Sequence, residues 1–199
     1  MKSFWKLLAA IYSDLVLFGI KIQPPDMLFH NPKQKFTDQY QITITADKSF
    51  TPQERTSILE GAKDLELFFN SKIVISINFD YIKDNMLANH ILVKANSKTT
   101  TAITNYDGEH DSTILGLCTV YWDNICVIHL VCDRLPSKIG IRTTTIHEIG
   151  HLLSLDHTDR GSIMHRINSG DILYPTIIDA QETAKKYSCD PDDFKYFLL

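Results

Sequence analysis

His147, Glu148 and His151 stand in the order H-E-x-x-H. On a helix, a spacing of four puts two imidazoles on one face, roughly 5–6 Å apart at Cβ, near enough to share one metal ion. Glu148 leaves such a helix about 100° round from His147, so it can act on a water beside the ion without ligating it. His157 follows six residues after His151. A continuous helix would carry it to the wrong side. A helix that stops near Leu153 and turns back brings it in as a third ligand. Three protein nitrogens leave one tetrahedral position open, the arrangement of a catalytic rather than a structural zinc. The expected metal ligands are therefore His147, His151 and His157, with Glu148 as general base.

A lone histidine on a helix is ordinarily a surface or core residue. Here Ile146, Ile149, Leu152 and Leu153 recur at helical spacing through the same stretch, so one face of that helix is core and another carries the ligands. The run HEIGHLLSLDH, followed by TDRGSIMH, resembles the metzincin signature, H-E-x-x-H-x-x-G-x-x-H with a Met-turn. Met164 lies seven residues past His157, a short spacing most similar to the matrixin branch. The resemblance implies a zinc endopeptidase in which His147, His151 and His157 hold one catalytic zinc. Glu148 is then the base, and Met164 lies in a turn beneath the metal. It also implies a zincin-like α+β fold. A twisted, mostly parallel sheet with one antiparallel edge strand packs on helices, with the cleft below that edge.

One position departs from the family pattern. Ser154 stands where the family has Gly, at the turn that redirects the chain. Gly is favoured there because positive φ costs it nothing, whereas Ser would store strain of about 1–3 kcal/mol unless the turn adopts another geometry. His165 and Arg166 follow the Met, so no Tyr ligand is expected from that turn. By resemblance, a peptide substrate lies extended along the edge strand around Thr113 to Val120. Leu173, Tyr174 and Pro175 either wall a specificity pocket or form an ordinary surface turn. Two other functions stay open. One is a non-cleaving, zinc-bound protein-interaction module, which Ser154 favours and an intact Glu148 opposes. The other is an H-E-x-x-H peptidase whose third ligand is an acid from a later helix, Asp179 or Glu182.

The elements that must position these residues are legible in order. QYQITITA, from Gln39 to Ala46, alternates apolar and polar residues and predicts a strand. Thr51-Pro52-Gln53-Glu54 supplies an N-cap, a first-turn Pro and an acid at the third position, opening a helix striped by Ile58, Ala62, Leu65 and Phe69. Ile73 to Phe79 reads as a second strand, parallel to the first across that helix. His90 to Ala95 is a third. Ser112 to Tyr121 and Ile125 to Cys132 form a pair joined by a tight turn at Trp122-Asp123-Asn124. His129, inside the last of these, reads as a hydrogen-bonded core residue rather than a ligand. The active-site helix is expected over Arg142 to Leu153, after punctuation by Pro136 and Gly140, and a final helix over Asp179 to Tyr187.

Length and composition bound the rest. The 199 residues suffice for one domain with a substantial core, expected over 39–199. A net charge of −4 and the absence of any basic run argue against nucleic acid and against an anionic membrane surface as partners. The expected partner is a peptide or protein substrate. The four cysteines form no C-x-x-C pair. Cys118 and Cys126 flank the hairpin and are either disulfide-bonded or buried as free thiols. In the polar stretch 96–112, His110 with Asp107 or Asp111 offers a second metal site, but a solvated loop is expected there and a second, structural metal is not. Residues 1–38 read as an amphipathic helix, with Phe4, Leu8, Ile11, Leu15 and Phe18 on one face, followed by an irregular Pro-containing connection. Lys6 and Asp14 interrupt the apolar run, so neither a signal peptide nor a spanning helix is expected, and the cytoplasm is favoured over secretion. These 38 residues hold no Cys, so no cysteine switch is expected from them.

Overall fold

The computed structural model describes residues 39–81, 90–98, 114–120, 126–158, 161–166 and 171–196. The expected N-terminal amphipathic helix, the TNYDGEHD stretch with His110, and the Trp122-Asp123-Asn124 turn all lie outside the described residues.

Strand β1 (Tyr40–Asp47) leads into helix α1 (Pro52–Phe68), which returns to strand β2 (Ile73–Tyr81). The helix starts where the sequence predicts. Thr51 caps it, and Glu54 reaches back to the Thr51 N–H at 2.6 Å, closing a capping box. Strands β3 (His90–Ala95), β4 (Gly116–Val120) and β5 (Cys126–Val131) follow, then helices α2 (Lys138–Leu152) and α3 (Ile177–Tyr187). The five strands make one mixed sheet in the order β2-β1-β3-β5-β4. The β1–β2, β1–β3 and β3–β5 pairs are parallel, and only β4 runs antiparallel, against β5. The molecule is thus α+β, with β4 at the edge of the sheet.

Alternate strand residues, among them Ile42, Ile44, Ile75, Leu92, Cys126, Ile128 and Leu130, join Ile58, Leu65, Ile146 and Ile149 of the helices in one buried cluster. Arg142 of α2 forks onto Asp64 of α1, with Nε at 2.5 Å from Oδ2 and Nη2 at 2.8 Å from Oδ1. It also lies over the Tyr174 ring at 4.7 Å. This pins the start of the site-bearing helix to α1 and to the chain ahead of α3.

Three boundaries differ from the sequence expectation. Helix α2 begins at Lys138, one turn early, because Ser137 caps it with a 2.9 Å bond from the Gly140 N–H. Gly140 therefore lies inside the first turn rather than ahead of it. Helix α3 begins at Ile177, because Thr176 and Asp179 form a second capping box. Strand β4 begins at Gly116, and Ile114 and Leu115 precede it as irregular chain. Among the described residues, no helix is long and apolar enough to cross a membrane.

His90 and His129 lie on adjoining strands, and neither belongs to the cluster of ligating side chains described below. The Nδ1 of each is buried without a hydrogen-bond partner among the described residues. Burial lowers the pKa of both imidazoles below 6.5. Above pH about 6.5 both are neutral whether the chain is folded or not, and they impose no pH dependence. Below it the unfolded chain takes up protons that the folded chain refuses, so stability falls as pH drops. Replacing both by Phe should therefore flatten the acid limb of the stability curve between pH 6.5 and 5, by at most about 1.4 kcal/mol per pH unit for each imidazole. Urea unfolding across that range, with the parent alongside, measures it. Equal slopes would show that other groups carry the acid sensitivity.

Candidate metal centre

The last turns of α2 carry His147, Glu148 and His151. The helix then ends abruptly. The Ser154 N–H donates to the His151 carbonyl at 2.8 Å and the Leu155 N–H to the Gly150 carbonyl at 2.9 Å. This is the Schellman pattern of helix termination, whose left-handed residue is usually Gly. Here Ser154 occupies it, at φ 61°. Of the two geometries open to the sequence, the chain adopts the strained one, and His157 swings back to the helix.

The three imidazoles converge. The Nε2 of His147 lies 3.1 Å from that of His151 and 3.3 Å from that of His157, and the last two are 3.2 Å apart. The contact between His147 and His151 is not a hydrogen bond. His147 Nδ1 lies 2.9 Å from the Ile163 carbonyl, and His151 Nδ1 lies 2.8 Å from the Leu155 carbonyl. A carbonyl only accepts, so each Nδ1 carries the proton and each neutral ring presents a bare lone pair at Nε2. Burial keeps all three rings neutral by lowering their pKa, that of His151 to about 4. Between His147 and His151 two lone pairs face one another, a contact that a cation relieves. Three nitrogens held about 2.0–2.1 Å from one tetrahedral ion lie about 3.3–3.4 Å apart, close to the spacing seen. The donor set therefore fits a divalent metal. Among the described residues it is the one group of His, Cys, Asp and Glu side chains placed to hold one. Its exposure is graded, with His147 buried, His151 half-buried and His157 exposed.

Glu148 is buried and does not belong to the cluster. Its carboxylate rests against β4. A Cβ on Gly116 would stand 2.5 Å from Glu148 Oε1, so only Gly leaves room for it. Burial pushes the Glu148 carboxyl up to about 8, against a hydrogen bond donated by the Cys118 backbone N–H. A bound cation acts in the same direction as that hydrogen bond.

Met164 lies beneath the helix, nearly inaccessible. A Cβ on Gly150 would stand 2.5 Å from its sulfur, so the Gly inside HEIGH is what lets the turn close on α2. Asp179, from the next helix, holds that turn. It accepts from Ser162 Oγ at 2.5 Å and from the backbone N–H groups of Ile163 and Met164 at 3.1 and 3.3 Å. It also accepts from the Thr176 N–H at 2.7 Å, while the Thr176 hydroxyl donates to the Gly161 carbonyl at 2.7 Å. The Ile163 it fixes is the residue whose carbonyl orients His147. The Thr158 N–H meets the Met164 carbonyl at 3.1 Å, tying the same turn to the His157 loop.

The structure thus brings His147, His151 and His157 together, with Glu148 beside them and Met164 below. It places neither Asp179 nor Glu182 in the cluster. Asp179 is engaged with the turn, and Glu182 pairs with Lys185 on the outside of α3. Tyr174 stacks on Arg142. A cavity of about 300 Å³ opens behind the His157 loop, lined by Leu155, His157, Met164, Asp179, Thr183 and Lys186, but neither β4 nor Glu148 borders it. Sequence reasoning missed Gly116, Gly150 and the Cys118 N–H, and gave Asp179 another role. A Gly inside a strand pattern is a signal of close approach and pointed to Gly116. Thr176-x-x-Asp179 is a capping-box pattern and pointed to the start of α3.

No protein-family model matches the chain, and no curated protein matches it.

Two substitutions probe this arrangement. Ser154→Gly should raise stability by on the order of 1 kcal/mol, the relief of a left-handed non-Gly residue less the extra freedom of Gly when unfolded. Thermal unfolding of metal-saturated protein measures it, and a fall in stability would place the helix end elsewhere. Asp179→Asn should cost about 3 kcal/mol or more, because one amide oxygen cannot receive four buried donors. Metal affinity should weaken about 10–100-fold without loss of the three-nitrogen site, as expected for a group that orients a ligand. A direct metal titration of the refolded variant separates that from loss of a ligand, which would abolish binding.

Proposed function

We propose that the protein is a zinc-dependent endopeptidase of metzincin type. The observation that carries the reading is the convergence of three Nε2 atoms at tetrahedral spacing, beside a buried Glu148 that stands outside the cluster. Two of the three rings are oriented by backbone carbonyls, the outer-shell support typical of ligating imidazoles. A structural zinc site is closed by four protein ligands, and here the described cluster supplies three.

Zinc bound there would supply a Lewis acid for a peptide carbonyl and would lower the pKa of water toward about 7. The chain's own groups do the rest. Glu148, walled by Gly116 and held by the Cys118 N–H, takes a proton from the attacking water and delivers it to the leaving amine. Strand β4 has a paired side toward β5 and an outer edge without a strand partner among the described residues. A substrate in extended form adds to that edge through main-chain hydrogen bonds, which places its scissile bond near Glu148. The non-cleaving module is not favoured by any observation. Ser154, its one supporting feature, takes the backbone conformation of the Gly it replaces.

Glu148→Gln keeps size and polarity but removes the base. Zinc content and fold should be unchanged, while hydrolysis of a degenerate peptide library falls by about 10²–10⁴-fold. Chelation of the parent should abolish hydrolysis, and added zinc should restore it. A parent that binds zinc but cleaves no peptide in the library would reject the peptidase reading, and full activity in Glu148→Gln would reject its mechanism.

A further inference from the structure

The Sγ atoms of Cys118 and Cys126 lie 2.9 Å apart, and both residues are free thiols. Cys118 stands opposite Ile128 and Cys126 opposite Val120, so the two are diagonal neighbours on one face of the antiparallel β4–β5 pair. Gly116, two residues from Cys118 and therefore on the same face, is the residue against which Glu148 rests. The thiol pair thus faces the same side of the sheet as the Glu148 carboxylate. Cys126 is buried in a strand paired on both sides, whereas Cys118 is half-buried on the edge strand.

We propose that Cys118 and Cys126 are a dithiol modification site that oxidises to an intramolecular disulfide, and that closing this bond disturbs the seat of Glu148. The second clause rests on the reading of Glu148 as general base. Diagonal neighbours on paired strands stand about 7–8 Å apart at Cα, beyond the span most disulfides bridge, so closing the sulfurs to about 2.05 Å draws one strand toward the other. Strand β5 is held by β3 and β4, and β4 by β5 alone, so the shift falls on Cys118. The Cys118 N–H donates to Glu148, and Gly116 walls it, so both supports move with the strand. The oxidant is a peroxide. The Cys118 sulfur, whose pKa the hydrogen bond with Cys126 and burial hold above the ordinary thiol value, attacks one peroxide oxygen slowly, releasing water and leaving a sulfenic acid. The Cys126 sulfur then displaces the second oxygen as water. Two thiols and one hydrogen peroxide give one disulfide and two waters, with two electrons passing from sulfur to the O–O bond.

The test treats zinc-loaded, full-length protein with hydrogen peroxide and then with dithiothreitol. Peptide mapping should find a Cys118–Cys126 bond, short by two hydrogens, ahead of any bond to Cys132 or Cys189. Amide hydrogen exchange at Cys118 should quicken on oxidation and return on reduction. Peptide hydrolysis should fall about 10–100-fold, the usual cost of losing an outer-shell partner, and recover with dithiothreitol. Cys126→Ser and Cys126→Ala should both lose the peroxide response, and either one that folds suffices. A bond formed elsewhere, or none, overturns the site. A mapped bond that leaves Cys118 exchange unchanged overturns the coupling. If the reduced parent cleaves nothing, the peptidase reading fails, while mapping and exchange still decide this proposal.

Discussion

The Nε2 lone pairs of His147 and His151, 3.1 Å apart, repel unless a cation lies between them, and the Nε2 of His157 lies within 3.3 Å of both. The surrounding structure holds them there. Each Nδ1 proton of the two helical ligands is committed to a carbonyl, so neither ring can rotate or change tautomer to relieve the contact without giving up a hydrogen bond. The arrangement is preorganised, in the sense that its unfavourable electrostatics are built in before a metal arrives. A metal bound there would contribute directly to the stability of this corner of the fold.

The carbonyls that do this come from two places where the chain departs from regular structure. Leu155 follows the left-handed residue that ends α2, and its N–H closes the helix while its carbonyl holds His151. Helix termination and ligand orientation are therefore one event. Ile163 lies in the turn beneath the helix, and that turn has no regular secondary structure to fix it. Asp179 substitutes for it, gathering four donors from the turn and from the start of α3. A buried carboxylate with that many donors is well compensated for its desolvation. The Tyr187 hydroxyl donates to the Leu153 carbonyl, so α3 also supports the end of α2.

Glycine sets the distances between layers. Gly150 admits the Met164 sulfur under α2, and Gly116 admits the Glu148 carboxylate against β4. Any side chain at either position would push apart the pieces that make the site. Glu148 thus rests on an edge strand whose outer side has no strand partner among the described residues. Under the peptidase reading proposed above, that strand would both seat the base and present the substrate.

What the sequence by itself determined was local. His147, Glu148 and His151 were legible because one helix sets their mutual angles, and His157 because only a short reversal can follow. The strands β1, β2, β3 and β5 and the start of α1 were legible from alternation and from the Thr51–Glu54 box. The zincin-like fold and the chemistry drawn from family resemblance go further than a mixed α+β sheet and a three-histidine cluster, and they rest on the proposal above. The tertiary structure alone decided which geometry Ser154 takes, that Asp179 clamps a turn, and that Gly116 and the Cys118 N–H seat Glu148. Those contacts join residues 15 to 32 positions apart. They depend on where β4 docks beside β5 and on how α3 returns to α2. Neither follows from periodicity, because a residue pattern reports which face of an element is apolar and not which other element will cover it.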